Sequence, residues 1–366
     1  MKRCTLFFCL LVLASAAIAQ KRDQWHIPDI PGYVTLKCDL HIHTVFSDGQ
    51  VWPTVRVREA MAEELDAIAI TEHIEYRPFV KAGDVNGSDR NRAFELASEN
   101  AKRSQKLIVI PGSEITRDMP PGHFNAIFIK DANALETADP FDALMAAKEQ
   151  GAYIFWNHPA WTRQAPTGIP AWHPLHTKIY DAGLMMGIEM FNGNDYSTVA
   201  HRWALDKNLA FLGNSDCHQP NHYIFPAHRN MTLVFARERS AGGIREALDA
   251  RRTLAYSQRN EVAGREELLR TLFENCVRVD KTSRTGNMVE IALTNLSSIE
   301  MILRTDMPGR LLSRPLVITL APFGSAKAEF TIKDPEGTAP QVDIDFTVEN
   351  FLAAPGQGMK YRYTVK

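Results

Sequence analysis

The chain has 366 residues, enough for one large domain and one small one. It is 45% hydrophobic and 23% charged, the proportions of an ordinary globular protein, which argues against a disordered or fibrous chain. A formal net charge of −2 brings no basic excess, so neither a nucleic-acid partner nor an anionic membrane surface is expected.

In chain order, the first feature is a targeting segment. Lys2 and Arg3 form a positive region, Leu6 to Ala14 an apolar one, and Ala17-Ile18-Ala19 a small-x-small cleavage site. The apolar run is short of the ~20 residues a bilayer span needs, so we expect no membrane anchor. Residues 1–19 are read as a signal peptide cut after Ala19, and the mature protein as periplasmic or secreted. Cys4 and Cys9 would leave with it; Cys38, Cys217 and Cys276 remain, an odd number at unrelated spacings and no disulfide framework.

From Tyr33 to about Tyr256, short apolar runs alternate with amphipathic stretches. Strands are predicted at Val34 to Leu40, Ala67 to Ile70, Leu107 to Ile110, Phe124 to Ile129, Tyr153 to Trp156, Gly187 to Met190, Ala210 to Leu212, Met231 to Phe235 and Leu254 to Tyr256. Helices are predicted at Thr54 to Leu65, Asn91 to Gln105, Pro140 to Gln150 and Thr198 to Asn208, with Ile244 to Ala250 completing the series. The alternation implies parallel pairing and a closed α/β barrel. From 261 to 366 the pattern changes to short strands between Gly, Pro, Asn and Asp turns, among them Val289 to Thr294, Ala328 to Ile332 and Val342 to Val348. These predict a small β-sandwich domain following a barrel domain at 20–260.

Polar clusters recur where the apolar runs end: Asp39-Leu-His41-Ile-His43, Ser47-Asp48-Gly49, Thr71-Glu72-His73, Gly112-Ser113-Glu114, Gly122-His123, Asn157-His158-Pro159 and Ser215-Asp216-Cys217-His218. Buried imidazoles and carboxylates are costly unless paired or bound to a metal. In a barrel the strand ends converge on one face, so residues far apart in sequence can share one metal cluster. Along a strand His41 and His43 point the same way, as do Asp216 and His218. A carboxylate has two oxygens, so Glu114 can bridge two cations.

These motifs, in this order, resemble the PHP (polymerase and histidinol phosphatase) family. The resemblance covers about Tyr33 to Tyr256 and implies a distorted (β/α)7 TIM-like barrel, so the expected fold class is α/β with a small C-terminal β-sandwich. It implies two or three divalent ions (Mn, Zn or Fe) in three subsites: His41, His43, Glu114 and Asp216; then Glu114, His123 and His158; then Asp48, His73 and His218. It further implies hydrolysis of a phosphoester by a metal-bridged hydroxide, with Glu114, Asp216 and His218 as catalytic residues and either Asp216 or His218 as proton donor. The second motif reads Thr71-Glu72-His73 where the family often has Thr-Asp-His; the ligand position is unchanged.

For substrate contacts the candidates are Arg117, Arg92 and Arg77, in the loops after Glu114 and His73, because a guanidinium binds phosphate oxygens in pairs. Glu189 is read either as a group orienting a ligand histidine or as a plain salt bridge. Trp156, Trp161, Trp172 and Phe191 are read either as a pocket wall or as core. The expected partner is a small-molecule phosphate ester, monoester or diester, and the oligomeric state stays open. Two other readings remain: a metal-dependent amide or lactone hydrolase, which would want a bridging lysine where only Lys130 stands, and a non-catalytic metal- or ligand-binding exported protein.

Overall fold

The computed structural model describes residues 25–104, 106–225, 228–306, 311–333 and 341–365; the segment read as a signal peptide lies outside them. Its first part runs β1 (Val34–Asp39), α1 (Pro53–Ala62), β2 (Ala67–Ile70), α2 (Pro78–Ala82), α3 (Arg92–Lys102), β3 (Ile108–Ile115), β4 (Phe124–Ile127), α4 (Pro140–Glu149), β5 (Tyr153–Trp156), α5 (Pro174–Asp181) and β6 (Gly187–Asn192). It continues through β7 (Asp195–Tyr196), α6 (Thr198–Asp206), β8 (Ala210–Asn214), α7 (Asn221–Ile224), β9 (Met231–Ala236), α8 (Ala241–Asp249), β10 (Thr253–Ser257), β11 (Glu261–Ala263) and α9 (Glu266–Cys276). Pro53, Pro78, Pro140 and Pro174 each open a helix, where the missing N–H costs nothing. Asp139, Ser197 and Ser240 accept from the backbone N–H groups of Phe141, Ala200 and Gly243, capping α4, α6 and α8.

The pairing is mixed, which corrects the all-parallel expectation. β1, β2 and β3 are parallel, as are β5, β6 and β8. β4 runs antiparallel to both β3 and β5, and β9 antiparallel to both β1 and β10. The reasons are local. Only residues 116–123 join β3 to β4, too few for a parallel crossover. Both Asp216 and Arg229 lie at the ligand-bearing end, since Asp216 N–H donates to the His41 carbonyl and Arg229 to Asp39, so β9 starts where β8 stops.

One buried cluster fills the space inside this sheet. It joins Leu36, Cys38 and Leu40 of the β1 segment to Ala67 and Ala69, Ile110, Ile127, Tyr153 and Phe155, Ala210 and Leu212, Val234 and Ala236. Ile244, Ala247 and Leu248 of α8 belong to the same cluster, so this helix plugs the end opposite the ligands. Among the described residues β8 ladders only to β6, and no continuous ladder closes the ring. Side-chain hydroxyls stand in at that seam: Thr253 accepts from Phe211 N–H and Thr232 accepts from Gly213 N–H.

The C-terminal part is a β-sandwich. β12 (Val277–Thr285), β13 (Met288–Asn295), β17 (Ser325–Ile332) and β15 (Leu311–Ser313) form one sheet; β14 (Met301–Thr305), β16 (Val317–Leu320), β18 (Val342–Ala354) and β19 (Gln357–Val365) form the other. β13 alternates exposed or half-buried with buried side chains, the period-2 pattern of a one-sided strand. β12 (Val-Arg-Val-Asp-Lys-Thr-Ser-Arg-Thr) has little apolar content and escaped the sequence reading; pairing along β13 makes it a strand. The second sheet is continuous with the first domain, because β18 pairs in parallel with β11 through Val262–Phe351 and Ala263–Leu352.

Candidate metal centre

The ligand-bearing segments prolong the strand ladders past their ends. Ile42 bridges Cys217, with His43 N–H donating to the Cys217 carbonyl at 3.2 Å. His73 bridges Glu114, and Glu114 N–H donates to the Glu72 carbonyl at 2.9 Å. Asn157 N–H donates to the His123 carbonyl at 3.0 Å. Paired backbones thus set side chains of six segments toward one space. His158 (φ 26°) and Asp216 (φ 51°) sit in the left-handed region, a local strain that such sites commonly hold.

Nine side chains meet there. His41 Nε2 and His43 Nε2 are 3.0 Å apart, and they lie 3.2 and 3.1 Å from Asp216 Oδ1. Glu114 stands at the centre: Oε2 is 3.6 Å from His41, 3.4 Å from His43 and 2.7 Å from His73 Nδ1, while Oε1 is 2.9 Å from His123 and 3.4 Å from His158. Asp48 Oδ1 lies 3.3 Å from His73 Nε2 and 3.2 Å from His218 Nε2. Three sets gather donor atoms within 4.8 Å of one another: His41, His43 and Asp216; His41, Glu114 and His158; and His43, Asp48, His73 and His218. All nine residues of the three expected subsites gather here, in sets that only overlap the expected ones: the set of His41, His43 and Asp216 lacks Glu114, His41 also joins the second and His43 the third, and His123 meets the centre through Glu114.

The donor chemistry fits divalent cations. Glu114 Oε2, Asp216 Oδ1 and Asp48 Oδ1 are buried and form no hydrogen bond, although imidazole nitrogens surround them. Lone pairs of six imidazoles and three carboxylates converging on shared points are a ligand set for divalent metal ions. The electrostatics agree. Burial alone would neutralise Glu114 and Asp216, but His73, His123 and His41 around the first, and His41, His43 and His218 around the second, hold both carboxyls well below their usual range. Burial likewise opposes charge on His73, yet Glu114 and Asp48 bring it up to about 10. His43 goes the other way, to about 3, through burial and the neighbouring His218 and His73 rings. A pocket that draws protons onto imidazoles draws cations for the same reason.

Around the ligands is a buried polar shell. Glu189 accepts from His41 Nδ1 at 2.9 Å, which turns Nε2 inward; it also accepts from Asn214, Asn192 and His158 N–H. Of its two sequence readings, the structure gives the orienting one. His218 Nδ1–H donates to the Asp216 carbonyl, aiming Nε2 at Asp48. Asn157 donates to Glu114 Oε1. Glu72 accepts from Thr44 and Ser47, with burial pushing its carboxyl up against those bonds. Two fully buried arginines went unnoticed in the sequence. Arg56 donates to the carbonyls of His43 and Cys217, and Arg229 pairs with Asp39 and Glu63. The only available signal was an arginine at an inward position of α1, and one just ahead of an apolar strand.

The structure gives the three candidate substrate arginines other partners. Arg77 is buried and donates to the carbonyls of Phe46 and Gly87. Arg117 pairs with Glu75 at 2.7 Å and donates to the carbonyls of Thr137 and Ala138. Arg92 pairs with Glu95 on the exposed face of α3. Proximity in sequence to a ligand did not foretell these contacts, because loop carbonyls compete for the same N–H groups. The aromatic residues divide: Trp156 stacks on His176 and Trp203 in the core, with Trp172 beside them, and Phe191 packs on Tyr196, whereas Trp161 lies against His123 and His158. Lys130 is exposed beyond β4.

Comparison with known proteins places this geometry. A family model described as an Ig-like domain matches residues 277–364. An uncharacterized protein of Methanocaldococcus jannaschii is 36% identical over 87 residues, 24% of this chain, which spans about a third (36%) of that relative. A metal-dependent phosphoesterase structure from Bifidobacterium adolescentis, itself so described only putatively, covers 50% of this chain and 87% of its own at 15% identity and a TM-score of 0.39. The crystal structure of a two-domain protein from Bacteroides vulgatus, described as containing a predicted PHP-like metal-dependent phosphoesterase, is 47% identical and covers 95% of this chain and 100% of its own, with a TM-score of 0.89. Likeness of that extent, across both domains, makes this chain a member of the PHP-like metal-dependent phosphoesterase family.

Proposed function

We propose that the protein is an exported hydrolase of small organophosphate esters. The single observation that carries the reading is Glu114, whose two oxygens face His41, His43 and His73 on one side and His123 and His158 on the other, so that one carboxylate can hold two cations together. Bound there, divalent ions supply the Lewis acidity that activates a water near neutral pH and neutralises charge on phosphoryl oxygens. The chain's own residues do the rest. His41, held by Glu189, and His43, whose carbonyl is held by Arg56, keep the first subsite rigid. His218 is the more accessible of the two candidate proton donors, its side chain 33% exposed against 18% for Asp216, and its Nε2 is free to protonate the leaving oxygen only when the set it forms with His43, Asp48 and His73 holds no ion.

Export rests on the Lys2-Arg3, Leu6 to Ala14 and Ala17-x-Ala19 pattern. We also read the first domain as a member of the (β/α)7 barrel type, supported by the single interior cluster that both ends of the sheet share. The phosphoester reading is favoured over an amide hydrolase because Glu114, not a lysine, occupies the bridging place. The deciding experiment compares metal-stripped and manganese-loaded protein on 4-nitrophenyl phosphate and on its ethyl diester. Hydrolysis that appears only with metal supports the reading, and the faster ester tells phosphatase from phosphodiesterase. Equal rates with and without metal would overturn it.

A further inference from the structure

Two aromatic side chains on the ligand-bearing loops are left outside the core. Tyr76, 55% exposed, meets the His73 ring edge-on, with centroids 5.9 Å apart and planes at 70°. Half-buried Trp161 meets His158 at 5.3 Å and 68°, and His123 at 5.6 Å and 58°. These three imidazoles form one run, with His73 to His123 at 6.0 Å and His123 to His158 at 4.9 Å, and all three contact Glu114. Tyr76 therefore stands at one end of the run and Trp161 at the other.

Trp161 is held in place. Its N–H donates to the His158 carbonyl, its carbonyl accepts from Gln164 and Ala165 N–H, and the Gln164 side chain donates to the Arg117 carbonyl. Arg163 stands over the ring at 5.9 Å. The other tryptophans of this region, Trp156, Trp172 and Trp203, stack on one another and on His176 instead. The backbone that carries Trp161 is thus fixed, and the ring, partly exposed beside a polar centre, offers planar groups the face that Arg163 does not cover; they stack on such surfaces with little regard to their substituents.

We propose that Tyr76 and Trp161 form an aromatic clasp, one ring at each end of the imidazole run, either of which can stack on an alcohol arm of the ester, so that the site prefers esters with an aromatic or heteroaromatic arm. The inference rests on the phosphoesterase reading of the same site, and it names residues that set specificity rather than chemistry. It is tested by calorimetric titration of the manganese-loaded full chain with phenylphosphonate and methylphosphonate, whose C–P bonds are not hydrolysed. Wild type is expected to bind the phenyl compound about tenfold more tightly. Trp161→Ala should remove most of that preference and Trp161→Phe keep most of it. Tyr76→Ala, at an exposed side chain, should reduce it as well and keeps the test open if Trp161→Ala fails to fold. Equal affinities in the wild type, or an unchanged ratio in both alanine variants, would overturn the clasp. Hydrolysis of 4-nitrophenyl phosphate and of its phenyl diester, run in parallel, separates the two claims: turnover of either without a phenyl preference sinks the clasp alone, and a phenyl preference with neither ester turned over sinks the phosphoesterase reading and supports the clasp as a binding site.

Discussion

Glu114 and Glu189 are both fully buried carboxylates, and the difference between them is what faces each. Glu189 is saturated by donors, whereas Glu114 Oε2 has only imidazoles around it and no hydrogen bond. Glu114→Gln, which keeps the shape and removes the charge, should therefore lose both bound metal and turnover; metal analysis of the purified variant checks this, and a full complement would refute bridging. Glu189→Ala should leave His41 free to rotate and weaken metal affinity about 10- to 100-fold, read by competition with a chelator. Away from the site, burial and Arg202 push His201 down to about 4. Its folded pKa thus lies below the unfolded value of about 6.5, so its contribution to stability is complete above that pH and is lost as the pH falls toward 4. The drop in Tm between pH 7 and pH 4.5 should be smaller in His201→Gln than in wild type, and identical drops would show that the ring does not titrate this way.

At the level of elements, helix α8 does work that its position in sequence does not announce. It follows a strand and precedes one, as an outer barrel helix would, yet Ile244, Ala247 and Leu248 sit in the interior cluster with residues from seven strands. Leu248→Ala should cost about 3 kcal/mol, from lost burial and the cavity left behind, measured by denaturant unfolding. Because the plug lies opposite the ligands, metal content should stay unchanged; loss of metal in a folded Leu248→Ala protein would mean that the two ends are coupled. The seam between β8 and its neighbours β9 and β10 is closed by the hydroxyls of Thr232 and Thr253, a feature that hydropathy patterns do not register.

Over the whole molecule, the two domains share one framework. β11 ladders onto β18, Leu352 packs with Ala255 and Ala263, and Gly356 N–H donates to the Tyr196 hydroxyl. A chain ending at Cys276 would expose the edge of β11 and uncover Phe273, which packs on Phe351 and Tyr361. Such a truncation is expected to aggregate or to melt well below the full chain, as measured by scanning calorimetry; an equal Tm would show the first domain to be self-sufficient. Chelation of the full chain should also lower Tm, since cations that bind only the folded state stabilise it by mass action.

The sequence by itself picked out the nine polar side chains that the fold brings together. His-x-His and Asp-x-His spacing on strand ends and a lone carboxylate after Gly112-Ser113 are local signals, and local signals survive without knowledge of the partners. The alternation of strands and helices implied parallel pairing, and there the tertiary structure decided otherwise, because a short connection reverses β4 and contacts at the ligand-bearing end reverse β9. It also decided the fate of the arginines. Arg56 and Arg229 became buried supports, and Arg77 and Arg117 turned to backbone carbonyls, since a guanidinium takes whichever acceptors the folded loops bring to it. That Trp161 stands beside the ligands while Trp156 goes to the core was likewise settled only by packing, which brings distant segments together in ways their composition does not show.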